Sequence, residues 1–482
     1  MRAVVSRLQK GCLRLGKFPI LSIMSGGALA QSIQLFTYPL IARLYLPGDL
    51  GALFLFLGII SVSVTVFTLQ LEGAVLAARK SHTRILFYVA FWLLFTSAAF
   101  FLLLFWVIGD WILATFKLPL STQEALWYFP LGLITHGIYA LSVSAAIRQQ
   151  QYSRLAISHL TIALSTVTIQ VSLGYFAFGI DGLLIGDLVS RSLGLAILNS
   201  EITSLRPKKF KKSLLIRVLR NYKRFPLYLA PAATLNVLSQ NLQSICFPIF
   251  FGVTQAGYLG LANKLISAPV GLTASAASHV FTGELAANAS TDSEQRKIVL
   301  DALTFSTTIA LPLLSCFLLA SESFFSLAFG DKWELSGTYA AILSLGIASS
   351  LVVSPISNLV VIKNSLSIAF YFSILELVVR SFPYFLVWVF NEFSALMAVC
   401  VISMGNVVLY GVGLIRFSRL VGIGLSDYFA RVRPLLAPWA LCFAPMAIGY
   451  ALAFSPFYLF STMLIGLSCY SAYAYRRHRK PL

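Results

Sequence analysis

The sequence predicts an all-α polytopic membrane protein of about fourteen transmembrane helices, arranged as two lobes that carry a parallel internal repeat. Three observations predict it. The 482 residues are 58% hydrophobic and 11% charged, with a mean hydropathy of +0.83, whereas soluble domains hold about 45–50% apolar and about 25% charged residues. Apolar stretches of the roughly 20 residues that cross a bilayer recur from Phe18 almost to the C-terminus. The basic residues cluster in alternate gaps between those stretches, which is how cytoplasmic loops are marked.

The apolar windows, in order, are 18–42, 50–78, 85–108, 124–147, 155–177, 182–203 and 227–251, then 256–284, 298–320, 337–362, 366–390, 394–415, 434–454 and 457–475. With the N-terminus inside, all but six of the 36 Lys and Arg residues fall on the cytoplasmic side. Arg43, Lys117 and Lys332 lie outside, and Arg191, Lys264 and Arg380 lie within spans. One miscounted span in the middle of the chain would exchange the sides of everything after it. Both termini are therefore expected in the cytoplasm.

Ahead of the first span, Arg7, Lys10, Arg14 and Lys17 oppose Val4, Val5, Leu8, Cys12 and Leu15, a pattern that suits an interfacial helix over residues 1–17. Ala28-Leu29-Ala30 looks like a cleavage site, but the apolar stretch continues to Leu44 and favours a retained span. The division that follows is an N-lobe at 18–203, a basic cytoplasmic linker at 204–226 and a C-lobe at 227–415. A cytoplasmic loop at 416–433, two further spans at 434–475 and a basic tail at 476–482 complete it.

The net charge of +19 is concentrated in the linker, where nine Lys and Arg lie between Arg206 and Arg224. A nucleic-acid patch is one reading of such a run. Beside a span, the reading preferred here is attraction to anionic membrane lipid. Cys12, Cys246, Cys316, Cys400, Cys442 and Cys469 are scattered without metal spacing, so neither a disulfide framework nor a zinc site is expected, and no cofactor is called for. The sequon Asn288-Ala289-Ser290 falls on the cytoplasmic side and is discounted.

Residues 28–39 align without a gap on residues 237–248: Leu29 on Leu238, Gln31 on Gln240, Gln34 on Gln243 and Pro39 on Pro248. A little further on, Leu50-Gly51-Ala52-Leu53 lies over Ala256-Gly257-Tyr258-Leu259. An even number of spans separates the copies, so they share one orientation. Transporters with parallel repeats hold their substrate between the halves.

Polar groups inside hydrocarbon cost about 2.5–3.5 kcal/mol for a central charge and therefore need partners or a wet cavity. Asp187 with Arg191, and Glu376 with Arg380, are spaced i,i+4 and can neutralise each other along one helix face. A structural role is preferred for both pairs, with proton coupling by either carboxylate left open. Gln31, Gln34 and Tyr38 share one face of the first span, and Gln240, Gln243 and Phe247 repeat it in the seventh. Amides there serve either helix packing or a sugar-binding wall. His136, His159 and His279 stand alone in different spans and are assigned to packing or helix–helix bonding.

Gly26, Gln31, Pro39, the run Arg43 to Pro47, Leu50, Gly51, Leu69 and Glu72 together resemble the opening of the Wzx-type polysaccharide repeat-unit (O-antigen) flippases. The resemblance is specific over residues 25–78 and architectural beyond them. It implies the MATE-like fold of the multidrug, oligosaccharidyl-lipid and polysaccharide exporter superfamily. It also implies movement of undecaprenyl-pyrophosphate-linked sugar units from the cytoplasmic to the periplasmic leaflet by alternating access, often coupled to an ion gradient. A polymerase and a chain-length regulator are the partners that such a role implies. Arg43 and Lys264 are the cations expected for a pyrophosphate, with Lys264 in a wet cavity between the lobes, and Glu72 is a further candidate for ion coupling or a salt bridge. Lipid II-type flippases and MATE-like exporters of the superfamily remain alternatives. A membrane-embedded polymerase or acyltransferase is the rival from another class, and the short outer segment expected at 321–336 argues against it.

Overall fold

The computed structural model describes residues 19–116, 127–204, 212–288, 291–363, 365–390, 392–452 and 454–479. The interfacial segment 1–17, Lys117, the basic stretch 205–211 and residues 480–482 lie outside them. Every regular element among the described residues is a helix. Contacts divide the chain into two compact units, Met1–Gly257 and Tyr258–Leu482.

In the first unit the helices are α1 (Pro19–Leu44), α2 (Pro47–Thr68), the short α3 (Leu71–Ala77), α4 (Lys80–Phe116), α5 (Phe129–Arg148), α6 (Tyr152–Tyr175), α7 (Gly179–Ser204), α8 (Lys212–Asn221) and α9 (Ala230–Phe251). Helix α10 (Val253–Asn288) starts there and continues into the second unit. The second unit adds α11 (Asp292–Phe329), α12 (Glu334–Val353), α13 (Leu366–Val389), α14 (Ala395–Arg419), α15 (Leu425–Ala451) and α16 (Pro456–Arg479). A long helix occupies each of the fourteen expected windows. Ten of the helices, over the described residues, are long and apolar enough to cross a membrane by length and composition.

Large apolar side chains face outward: Phe36, Trp106, Trp388, Leu441 and Phe457 are each at least 76% exposed. Water would not tolerate that surface and lipid does. Inside, small and hydroxyl residues let helices close on one another, as membrane helices require in the absence of a hydrophobic drive between them. Ser158 on α6 is buried and donates to the Gly194 carbonyl of α7 at 2.9 Å.

Several boundaries differ from the expectation, each for a local reason. The window 50–78 is two helices, because Leu69 and Gln70 take left-handed backbone angles (φ 51 and 55) and end α2. Pro47 and Asp49 set its start, the Asp49 carboxylate accepting the Leu46 N–H at 3.0 Å. The window 337–362 is broken after Val353 by a 3-10 turn, Ser354–Ile356, that contains Pro355. The outer segment expected at 321–336 is mostly helix: α11 runs to Phe329 and turns at Gly330 (φ 96). Ser321 there donates to the Gly337 carbonyl at 2.8 Å. The loop expected at 416–433 shrinks to residues 420–424, since 425–433 form the first turns of α15, capped by Asp427 on the Gly424 N–H at 2.9 Å. Part of the basic linker is likewise helical, as α8.

Helix α9, placed by the sequence at the head of the C-lobe, packs along α2 and belongs to the first compact unit. Gly58 of α2 lies against Ser244 and Ile245, and Gly51 against the backbone of Val253 and Gly257. A side chain at Gly51 would drive α2 away from the start of α10, and one at Gly58 would crowd α9.

Candidate functional site

Helices α5, α6 and α7 enclose a cluster of ionisable groups inside the first unit. Asp187 on α7 meets His136 Nε2 of α5 at 2.7 Å and Arg191 Nε, one turn along its own helix, at 3.3 Å. The side chains of His136 and Asp187 are only 10% and 11% exposed. An ionised carboxylate has no proton to give, so His136 donates from Nε2 and is oriented by Asp187. Tyr139 extends the cluster, its hydroxyl lying 3.4 Å from Ser158 Oγ and 3.5 Å from His159 Nδ1 on α6.

The i,i+4 spacing thus brings Asp187 and Arg191 together, while His136 is not solitary. Its bond to Asp187 crosses from α5 to α7, and no local spacing announces it. The side chain of His279 lies outside the described residues.

In the second unit Glu376 and Arg380 pair at 2.7 Å on α13, each 18% exposed. At one end of that unit, Arg296 meets Asp427 at 2.6 Å and Arg431 meets Asp301 at 2.8 Å. These pairs tie α15 to α11.

The amide faces are placed apart. Gln31 on α1 is exposed, with Gln34 and Tyr38 half-buried, and α1 packs on α6. Gln240 on α9 is exposed and donates to Asn236 Oδ1 at 3.1 Å, and Gln243 is half-buried, on a helix that packs on α2. Phe247 is buried against Phe251, with ring centroids 4.7 Å apart.

The motif from Arg43 to Gly51 turns out to be a joint. Arg43 is exposed at the last turn of α1. Tyr45 is buried and donates its hydroxyl to the Gln170 carbonyl of α6 at 2.6 Å, and the Gln170 side chain donates in turn to the Leu183 carbonyl of α7 at 2.9 Å. Gly174 and Gly182 flank the Tyr45 ring where a Cβ would collide with it. Sequence reasoning misses Gln170, and only the tyrosine of the motif could have pointed to it.

Glu72 lies half-buried on α3, just beyond the left-handed pair Leu69–Gln70. Its Oε2 is buried and makes no well-formed hydrogen bond among the described residues, the Thr68 hydroxyl one turn back being the polar group beside it. Such a group calls for a proton, an ion or water. Lys264 on α10 is exposed and makes no ion pair with the described residues of its unit. No group of three or more His, Cys, Asp or Glu among the described residues could hold a metal ion.

A sequence profile described as polysaccharide biosynthesis protein matches residues 40–337. No curated protein matches the chain in sequence. Among solved structures, the lipid II flippase MurJ in an inward closed conformation is 15% identical, with a TM-score of 0.70 over 95% of this chain and 99% of that one. A mutant of the Vibrio cholerae MATE transporter VcmN is 14% identical, with a TM-score of 0.53 over 88% of this chain and 99% of the other. The eukaryotic MATE transporter AtDTX14 is 17% identical, with a TM-score of 0.51 over 87% and 100%. At these identities the likeness carries the fold, and the sequence profile carries the family: the chain is a multi-pass membrane protein of MATE-like fold that belongs to the polysaccharide biosynthesis protein family.

Proposed function

We propose that the protein moves undecaprenyl-pyrophosphate-linked oligosaccharide repeat units across the bacterial inner membrane by alternating access, as a flippase for surface polysaccharide. The observation that carries this reading is the family match over residues 40–337 on a fold that spans 99% of a lipid II flippase. The role is transport rather than catalysis. Lys264 and Arg43 attract the pyrophosphate, since cations on exposed helix faces suit a dianionic group. Gln31, Gln34, Tyr38, Gln240 and Gln243 offer amides and a ring to sugar hydroxyls and apolar sugar faces. Glu72, whose buried carboxylate meets no cation among the described residues of its unit, and the Asp187–Arg191 and Glu376–Arg380 pairs are the groups available for ion coupling. Both termini face the cytoplasm, and a polymerase and chain-length regulator receive the product on the far side.

The deciding experiment removes the protein and follows lipid-linked sugar. Repeat units should accumulate on the inner leaflet and surface polymer should disappear. A strain that still displays single repeat units at its surface has intact transport, and the reading then passes to a polymerase. Accumulation of lipid II instead would identify a lipid II-type flippase, the reading favoured by the fold match with the TM-score of 0.70.

A further inference from the structure

Helix α8 packs on α4 through the middle of its apolar face and leaves the edges of that face open. Viewed down its axis at 3.6 residues per turn, Leu214, Val218, Leu215 and Leu219 occupy one continuous arc, and Ile216 stands at its edge, one position past Lys212. Arg220, Ser213, Arg217 and Asn221 occupy the rest. Val218 at the middle of the apolar arc is fully buried and Leu215 half-buried, while Leu214, Ile216 and Leu219 on its flanks are exposed. Just beyond, Leu227 and Tyr228 are exposed as well, at 61% and 75%.

Around this apolar rim stand Arg217, Arg220, Lys223 and Arg224, all exposed. No acidic residue occurs between Glu201 and Glu284 to balance them. The same end of the unit carries Arg79 and Arg84, also exposed. A helix with the middle of its apolar face protein-bound, its apolar edges open and a cationic crest fits the boundary between headgroups and acyl chains. Charge complementarity selects anionic headgroups.

The helix is also latched to the transmembrane body. The Tyr222 hydroxyl accepts the Arg79 backbone N–H at 3.3 Å and lies 3.4 Å from His82 Nδ1, with the two rings edge to face. Arg79 sits in the turn between α3 and α4, seven residues from Glu72. Phe225, next along the chain, lies against Gly73.

We propose that α8 is a lipid-reading strap: Arg217, Arg220, Lys223 and Arg224 hold anionic phospholipid headgroups at the membrane surface, and Tyr222 passes their occupancy to the α3–α4 turn. The strap is independent of what the protein carries, so its failure leaves the transport reading untouched.

The test uses the full chain in nanodiscs of equimolar phosphatidylglycerol and phosphatidylcholine, with benzoylphenylalanine replacing Ile216 for photocrosslinking and mass spectrometry of the adducts. Phosphatidylglycerol adducts should exceed phosphatidylcholine adducts by about fivefold or more, the ratio that about 1 kcal/mol per basic residue near an anionic surface sets. Replacing Arg217, Arg220, Lys223 and Arg224 together by Gln should bring the two to parity, and replacing Arg217, Arg220 and Arg224 by Lys should retain the preference. Adducts at the bulk ratio in the parent protein, or crosslinks to protein in place of lipid, overturn the docking. Amide exchange over residues 78–84 should slow severalfold in phosphatidylglycerol discs relative to phosphatidylcholine discs, and Tyr222→Phe should erase that difference while leaving the adduct ratio intact. Identical exchange in both lipids overturns the transmission through Tyr222.

Discussion

Gly51 and Gly257 hold equivalent places in the two copies of the sequence repeat, and their backbones pack directly on one another. A Cβ on Gly51 would overlap the Val253 carbonyl oxygen, and one on Gly257 would overlap that of Pro47. The turn after the first span is thus fitted to the turn after the seventh, through the one residue type with no side chain to intervene.

Gly51→Ala and Gly257→Ala should each destabilise the protein by about 1–3 kcal/mol, the usual cost of overpacking a tight site. Thermal unfolding in detergent measures it. Gly27→Ala is the control, because Gly27 has open space around it. Equal melting of all three variants would mean that the two turns do not need their close approach.

The buried cluster gives an order of effects. Asp187→Ala leaves Arg191 and His136 facing each other without a carboxylate, and breaking a buried pair in this way costs about 3–5 kcal/mol. Arg191 keeps 26% of its side chain exposed, which places the expectation at about 3 kcal/mol. His136→Ala leaves the Asp187–Arg191 pair whole and should cost about 1 kcal/mol. The unfolding temperature should fall further for Asp187→Ala than for His136→Ala, and the reverse order would mean that the carboxylate is not what holds the cluster together.

What the sequence could convey follows from how local each signal is. Apolar windows and i,i+4 pairs are local, so the positions of the long helices and the meeting of Glu376 with Arg380 were legible. The break at Leu69 and Gln70 was not, because neither residue type announces a left-handed backbone as glycine would. The charged stretch 425–433 reads as a loop to hydropathy, yet Tyr428 and Val432 on one face of it are buried in an apolar cluster with Phe417 and Val299. The His136–Asp187 bond joins residues 51 apart in sequence, and only the fold brings them together.

The distribution of charge fixes an expected orientation. Arg79, Arg84, Arg148, Arg217 and Arg220 share one end of the first unit, where Arg148 donates to the Leu76 carbonyl at 2.7 Å and Tyr222 holds the Arg79 N–H. In the second unit, Glu322, Asp331 and Glu334 line a cavity of about 560 Å³ beside the α11–α12 turn. Cytoplasmic loops gather the cations, so a phosphatase fused after Lys332 should be active in the periplasm and one fused after Arg220 inactive. Activity in the opposite pattern would reverse the topology.

The last expectation concerns Lys264. Helix α10 runs without interruption from Val253 to Asn288, so Lys264 lies about 16 Å along it at 1.5 Å per residue. At that depth an exposed ammonium is poorly placed to escape to the interface, and no carboxylate among the described residues of its unit neutralises it. An anionic substrate would supply the missing charge. Lys264→Gln preserves length and hydrogen bonding but removes the cation, and a hydrogen bond to a charged group is worth about 1.5–3 kcal/mol. Transport of the lipid-linked unit should therefore fall by about tenfold or more, while the amount of inserted protein and its melting temperature stay unchanged. Lys264→Arg should retain most of the activity, because the positive charge remains. A fully active Lys264→Gln protein, or one whose only defect is lost stability, removes Lys264 from the substrate path.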